Sequence, residues 1–158
     1  MKIRNSARAV LMNENNEFLM MKFVQNRIVG DKAWWVFPGG GKETNESYEE
    51  ACIREIFEET GITLSSHEAK LVWTREIVLN GKDDDILSHE QYYLFNVNKF
   101  KINFKNFTDN EKKTFCEYKW WRLNELSHYS GNDISIDNLY DLLRKIVDGN
   151  LPENNIIN

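Results

Sequence analysis

At 158 residues, 41% hydrophobic and 28% charged, the chain is long enough to bury one substantial core and too apolar for a disordered tract. No apolar run approaches the ~20 residues that span a bilayer, and the N-terminus carries no signal-peptide pattern, so membrane and secreted classes are set aside and the cytoplasm is the expected location. A net charge of −5 without a dense basic tract excludes a general nucleic-acid coat, and two separated cysteines, Cys52 and Cys116, suggest neither a disulfide framework nor a zinc site.

Taken in order, Lys2–Met12 and Glu17–Val24 read as two strands joined in a hairpin-like way by the turn Asn13–Asn16. Period-two alternation puts Arg4, Ser6 and Arg8 on one face of the first strand. Their guanidinium groups either meet phosphate oxygens as forked donors or belong to a solvated edge. Ala33–Phe37 reads as a short strand ending at Pro38-Gly39-Gly40-Gly41, where the backbone can approach a ligand closely. Lys42 follows, placed to meet a phosphate. Neighbours on a strand point to opposite faces, so either one of Trp34 and Trp35 lines a cleft, with Trp35 the candidate for stacking on a base, or both are packing residues.

A helix is expected to begin near Thr44–Glu46, capped by Thr44 or Asn45, and to end at Thr60 with Gly61 beyond it. On its surface Glu55, Glu58 and Glu59 fall on one side, with Ile53, Ile56 and Phe57 almost opposite as the face built for burial. Like charges at that spacing repel, and a hard divalent cation with oxygen ligands offsets them better than Arg54 alone. Strands follow at about Ala69–Leu79 and His89–Val97, around a solvated tip at Asn80–Asp85. Phe115–Leu123 reads as the last strand, and Ile134–Val147 as an amphipathic helix. Residues 1–150 are expected to form a single domain, with 151–158 a flexible tail. His67, His89 and His128 show no ligand spacing.

Gly40, Glu46, Arg54, Glu55, Glu58, Glu59 and Gly61, with Ile56 and Ile62, fit the pattern G-x5-E-x7-R-E-U-x-E-E-x-G-U without exception. On these residues the chain resembles the Nudix hydrolases, specifically small MutT-like members. The resemblance implies an α/β fold, an α/β/α sandwich around a mixed β-sheet. It implies Mg²⁺, or Mn²⁺, and attack by water on a diphosphate linkage in a nucleoside diphosphate joined to a further group. Glu55, Glu58 and Glu59 then look like metal ligands, joined by the Gly39 carbonyl. Arg54 would orient them, Glu46 would support the loop-helix, and Gly40 and Gly61 would shape its ends. A further carboxylate often comes from outside this stretch in the family. Glu117 and Glu111 are the candidates, with Glu90 behind them, and spacing does not decide; Glu117 is carried as the catalytic one.

The subgroup marks for ADP-ribose and for dinucleoside polyphosphates do not fit: the only later proline is Pro152, and the first tyrosine after the motif is Tyr92. What remains resembles enzymes acting on nucleoside triphosphates, oxidised ones included, to give monophosphate and pyrophosphate. The alternatives are an ADP-ribose or nucleotide-sugar pyrophosphatase, an RNA 5′-end pyrophosphohydrolase and a non-catalytic nucleotide-binding module. A small nucleotide is the expected partner, with no nucleic acid or membrane, and the chain is expected to be a monomer or homodimer.

Overall fold

In the computed structural model, which describes residues 1–151 and 155–158, the strands join into one mixed sheet. They are β1 (Lys2–Met12), β2 (Phe18–Val24), β3 (Ala33–Val36), β4 (Gly39–Gly41), β5 (Lys70–Leu79), β6 (Ile86–Asn96), β7 (Phe115–Trp121) and β8 (Asn155–Ile157). The main path runs β3-β2-β1-β6-β5-β8, with β4 paired to β1 and β7 to β2. β1 runs parallel to β6, and β5 parallel to β8; the other pairs are antiparallel.

The expected hairpin of β1 and β2 exists only at its base, where Met12 pairs with Phe18. Above it the strands part. The glycines of β4 take the edge of β1 opposite Ser6, Ala7 and Arg8, while β2 turns to β3 and β7. This divergence positions the site, because the gap it leaves is lined from both sides.

Helices α1 (Tyr48–Thr60), α2 (Asp109–Thr114), α3 (Leu123–Ser127) and α4 (Leu139–Val147) complete the fold. On one face of the sheet, Ala51, Cys52 and Ile56 of α1 pack on Ala7, Ala9 and Leu11 of β1 in an apolar cluster that also takes in Phe107 and Trp120. The two alanines leave room for the helix to come close. On the other face, Leu126 of α3 and Leu139, Leu143 and Ile146 of α4 bury Phe37, Trp73, Tyr92 and Trp121. Helices thus cover both faces, giving the expected α/β/α sandwich.

Several boundaries differ from the sequence reading. Helix α1 is capped by Ser47, whose side chain accepts from the Glu50 N–H while Glu50 returns a bond to the Ser47 N–H. That reciprocal box satisfies two amides, so the helix starts later than Thr44–Glu46 and Glu46 is left in the loop. The helix ends as expected at Gly61, whose φ of 84° suits glycine and whose N–H closes onto the Phe57 carbonyl. Its buried residues are Ala51, Cys52, Ile56, Glu59 and Thr60, whereas Phe57 is exposed. Helix α4 starts only at Leu139, because Asn138 holds a left-handed conformation that breaks the run. The expected flexible tail is corrected in part: Asn155–Ile157 pairs with Trp73–Arg75 of β5, and Ile157 is buried. Pro152–Asn154 of that tail lie outside the described residues. Among the described residues no helix is long and apolar enough to cross a membrane.

Candidate active site

A cleft of about 370 Å³ opens where β1 and β2 part. Its walls are Arg4 and Arg8 of β1, Phe23 and Val24 of β2, the glycines of β4, and Arg54, Glu55, Glu58 and Glu59 of α1. The β2–β3 loop closes one side with Gln25, Asn26, Arg27 and Ile28, and α2 closes another with Asn110, Glu111 and Thr114.

Arg54 is the hub of the acidic face. Its Nε donates to Glu46 Oε2 at 3.0 Å and its Nη2 to Glu46 Oε1 at 2.6 Å, a two-pronged bond. Nη1 donates to Glu55 Oε1 at 3.0 Å and to Glu58 Oε1 at 3.4 Å, and Nη2 also reaches the Gly41 carbonyl at 2.9 Å. One guanidinium therefore ties the glycine strand, the loop before α1 and two helix carboxylates together. The Arg54 hydrogen bonds hold the Glu46 carboxyl below the usual range.

Three carboxylates meet beside this hub. One oxygen each from Glu55, Glu59 and Glu111 lies within 4.8 Å of the others. Glu59 is almost completely buried and accepts the Gly39 N–H at 2.8 Å. Burial, followed by the nearby Glu111 and Glu55 charges, pushes its carboxyl well above the usual range. Glu55 is pushed up in the same direction, first by burial, with Arg54 opposing it. Gly40 is required by this packing: a Cβ there would stand 2.6 Å from the Glu55 carboxyl carbon. Glu111 is pre-aimed, since its Oε1 accepts the Thr108 N–H at 2.8 Å in a second capping box. Such a close set of oxygen donors suits a hard divalent cation, and two of its carboxylates carry raised proton affinities of the kind that a cation would relieve.

Some predicted site residues fall elsewhere. Glu117 is exposed on β7 beside Lys22 of β2. Lys22 pairs with Asp133 near the α3–α4 side of the sheet, so Glu117 points away from α1, and the outside carboxylate that reaches the cluster is Glu111. Trp35 also pairs across from Lys22, and it is buried edge-on to Trp121 at 5.1 Å; it does not line the cleft. Lys42 donates to the Glu43 carbonyl at 3.2 Å and lies over Tyr48, outside the lining, because the alternation past Gly41 turns it to the other face. Glu90 is buried and fully engaged by Arg75, Ser88 and Tyr92, a closed structural network. Glu58 lines the cleft but stands outside the close trio. Arg27, in the β2–β3 loop, was not singled out from sequence.

A family model described as the NUDIX domain matches residues 2–143. The uncharacterized Nudix hydrolase YvcI of Bacillus subtilis (strain 168) is 41% identical over 64 residues, 40% of this chain and 39% of that protein. The 8-oxo-dGTP diphosphatase of Proteus vulgaris is 34% identical over 64 residues, 40% and 54%. The RNA pyrophosphohydrolase of Pelagibacter ubique (strain HTCC1062) is 38% identical over 60 residues, 38% and 35%. The chain thus spans about a third to a half of the length of these relatives. Among solved structures, the MutT NUDIX hydrolase from Burkholderia pseudomallei aligns with a TM-score of 0.65 at 18% identity, covering 92% of this chain and 99% of that one. The MutT protein from Methanosarcina mazei Go1 aligns with a TM-score of 0.62 at 20% identity, covering 94% and 96%. At these identities the structural likeness speaks for the fold.

Proposed function

Because the chain belongs to the NUDIX family, we propose that it hydrolyses a phosphoanhydride of a small nucleotide, with Glu55, Glu59 and Glu111 as the divalent-metal centre. The observation that carries this reading is the convergence of those three carboxylates within 4.8 Å, of which Arg54, shared with Glu46, Glu58 and the Gly41 carbonyl, reaches only Glu55. Mg²⁺, or Mn²⁺ in its place, would supply positive charge to the phosphoryl oxygens and make a nearby water more acidic.

The chain's own groups then divide the work. Glu58, facing the cleft beside the trio, accepts the proton of the attacking water. Water adds to one phosphorus, the bridging P–O bond breaks, and the departing phosphate takes the bonding pair. Arg54 keeps Glu55 and Glu58 in register with β4, and Gly39 orients Glu59 through its N–H. Gly39 lines the same cleft, and in this reading its carbonyl is a further oxygen donor. Residues 1–150 act as one catalytic domain in this reading. The preferred substrate is a nucleoside triphosphate, giving monophosphate and pyrophosphate, in keeping with the relatives named 8-oxo-dGTP diphosphatase.

The test is a Mg²⁺-dependent panel of canonical and 8-oxo nucleoside triphosphates, ADP-ribose, nucleotide sugars and dinucleoside polyphosphates, with products resolved. Pyrophosphate release from a triphosphate is the expected outcome. Glu111→Gln lowers kcat at least ~100-fold, on the scale of losing one charge-stabilising group, and Glu117→Gln stays within about threefold of the parent. Silence across the panel, or equal effects of the two variants, contradicts the proposal.

A further inference from the structure

Strand β1 puts Arg8 on the wall of the cleft, yet its guanidinium is engaged inside the protein. Its Nη1 donates to the Phe37 carbonyl at 2.7 Å. The chain runs on as Pro38-Gly39, and both of those residues are tied to β1 as well. The Pro38 carbonyl accepts the Ala9 N–H at 2.8 Å, and Gly39 pairs with Arg8 itself. A Cβ on Gly39 would stand 2.6 Å from Arg8 Cα and 2.9 Å from Arg8 Cγ, so the turn lies directly against this side chain. The Phe37 ring is buried, its centroid 6.1 Å from those of Trp73 and Tyr92. The core thus fixes the ring, and Arg8 fixes the carbonyl.

What the turn carries is a carboxylate. Gly39 N–H donates to Glu59 Oε1 at 2.8 Å, and Glu59 belongs to the close trio with Glu55 and Glu111. Little rotation separates that amide from the Phe37 carbonyl. The Phe37–Pro38 peptide is planar, the pyrrolidine ring locks φ of Pro38, and the bond to Ala9 restrains the next peptide. A displacement of the Phe37 carbonyl is therefore passed to the Gly39 amide, and from there to Glu59. Arg8 also has acidic groups around it. Burial opposes its charge, and Glu90, ahead of Tyr92, Glu59 and Glu55, outweighs that burial and raises its pKa. Glu90 keeps Arg75, Ser88 and Tyr92 as partners, so an uncharged side chain at position 8 would not strand it.

We propose that Arg8 is a positioning residue of the metal centre, holding Glu59 in place through the Phe37 carbonyl and the Pro38–Gly39 turn; this rests on the metal-centre reading above. Three roles for this cation differ in what its removal does. A bystander charge facing Glu59 and Glu55 repels a bound cation, so its removal tightens metal binding. A phosphate contact acts on the nucleotide and leaves metal binding alone. A brace orients one ligand, so its removal weakens metal binding even though a repelling charge has gone.

The experiment uses the full chain and its Arg8→Met, Arg8→Lys and Pro38→Ala variants. It measures Mn²⁺ binding by electron paramagnetic resonance without nucleotide, and Mg²⁺-dependent hydrolysis of a nucleoside triphosphate. Methionine keeps the packing of the stem without donor or charge, lysine keeps both, and Pro38→Ala frees the rotation between the two tied groups. Arg8→Met is expected to bind Mn²⁺ about tenfold more weakly and to need more Mg²⁺ for half-maximal turnover, with the nucleotide KM at saturating Mg²⁺ within about threefold of the parent. Arg8→Lys recovers most of the Mn²⁺ affinity, and Pro38→Ala weakens it in the same direction as Arg8→Met. Equal or tighter Mn²⁺ binding by a folded Arg8→Met protein overturns the role, and so does a loss confined to the nucleotide KM. If Arg8→Met does not fold, Pro38→Ala decides: weaker Mn²⁺ binding supports the brace, and parent-like binding overturns it. A parent that binds no Mn²⁺ overturns the metal centre and this role together, whereas equal binding by parent and variants overturns this role alone.

Discussion

Gly40 shows how little space the site allows. A methyl group at that position would press on the Glu55 carboxyl from 2.6 to 2.8 Å, so Gly40→Ala has to displace either β4 or the Glu55 side chain. Because the carboxyl is the freer of the two, the expected result is a loss of at least ~10²-fold in turnover, the scale of a small misplacement of a catalytic group, with a melting temperature within a few degrees of the parent. Glu17 is a different kind of residue, placed for stability. The Asn13 side chain donates to it at 2.9 Å, Lys99 and Arg122 lie at 3.1 and 3.2 Å, and its carboxyl is nearly buried. The Asn13 bond, with the two cations and against the cost of burial, brings its pKa down to about 2. A carboxylate held below its unfolded value stabilises the fold above that value and loses the contribution as pH falls through the window from about 4.5 to about 2. Glu17→Gln is therefore about 2 kcal/mol less stable at neutral pH, and denaturant midpoints of the two proteins converge as pH falls to 2.

At the scale of elements, β8 turns residues at the end of the chain into part of the sheet. Ile157 sits in the cluster with Val72, Trp73 and Ile146, so Ile157→Ala costs about 2–4 kcal/mol, read as a shift in the denaturant midpoint; a change under about 0.5 kcal/mol would mean that β8 does not dock in solution. The sequence carried no such signal, because Asn155–Ile157 is too short for a period to be read. Strand β4 escaped notice for another reason: three glycines have no strand preference, and only the edge of β1 pairs them. Helix α1 and its acidic side were legible from a spacing that needs no tertiary information. Its buried face was legible at Ile56 and Ile53 but not at its edges, since Gly39 of β4 draws Glu59 into the interior while Phe57 stays in solvent. Alternation allows two orientations for Trp35 and for Glu117, and in each case the face occupied by Lys22 and Asp133 decided. Spacing did not separate Glu111 from Glu117, which was carried ahead of it, and the Thr108 capping box that aims Glu111 becomes visible only with α2 in place.

For the whole molecule, the sheet splits where β1 and β2 part, and the split brings a strand of glycines, an acidic helix and a short capped helix to one cleft. Such an arrangement buries carboxylates that Arg54 and Arg8 offset only in part, so a cation that binds the folded state raises its stability by linkage. The central claim is that Glu55, Glu59 and Glu111 hold a divalent metal used in phosphoanhydride hydrolysis. The measurement that reaches it most directly is a Mg²⁺ titration of nucleoside triphosphate turnover and of melting temperature, on the parent chain and on Glu59→Gln. The account predicts saturable Mg²⁺ dependence and a Mg²⁺-induced rise in melting temperature for the parent, with both lost in a Glu59→Gln protein that still folds. Full turnover in the presence of a chelator, or a folded Glu59→Gln protein with the parent's Mg²⁺ response, would contradict it.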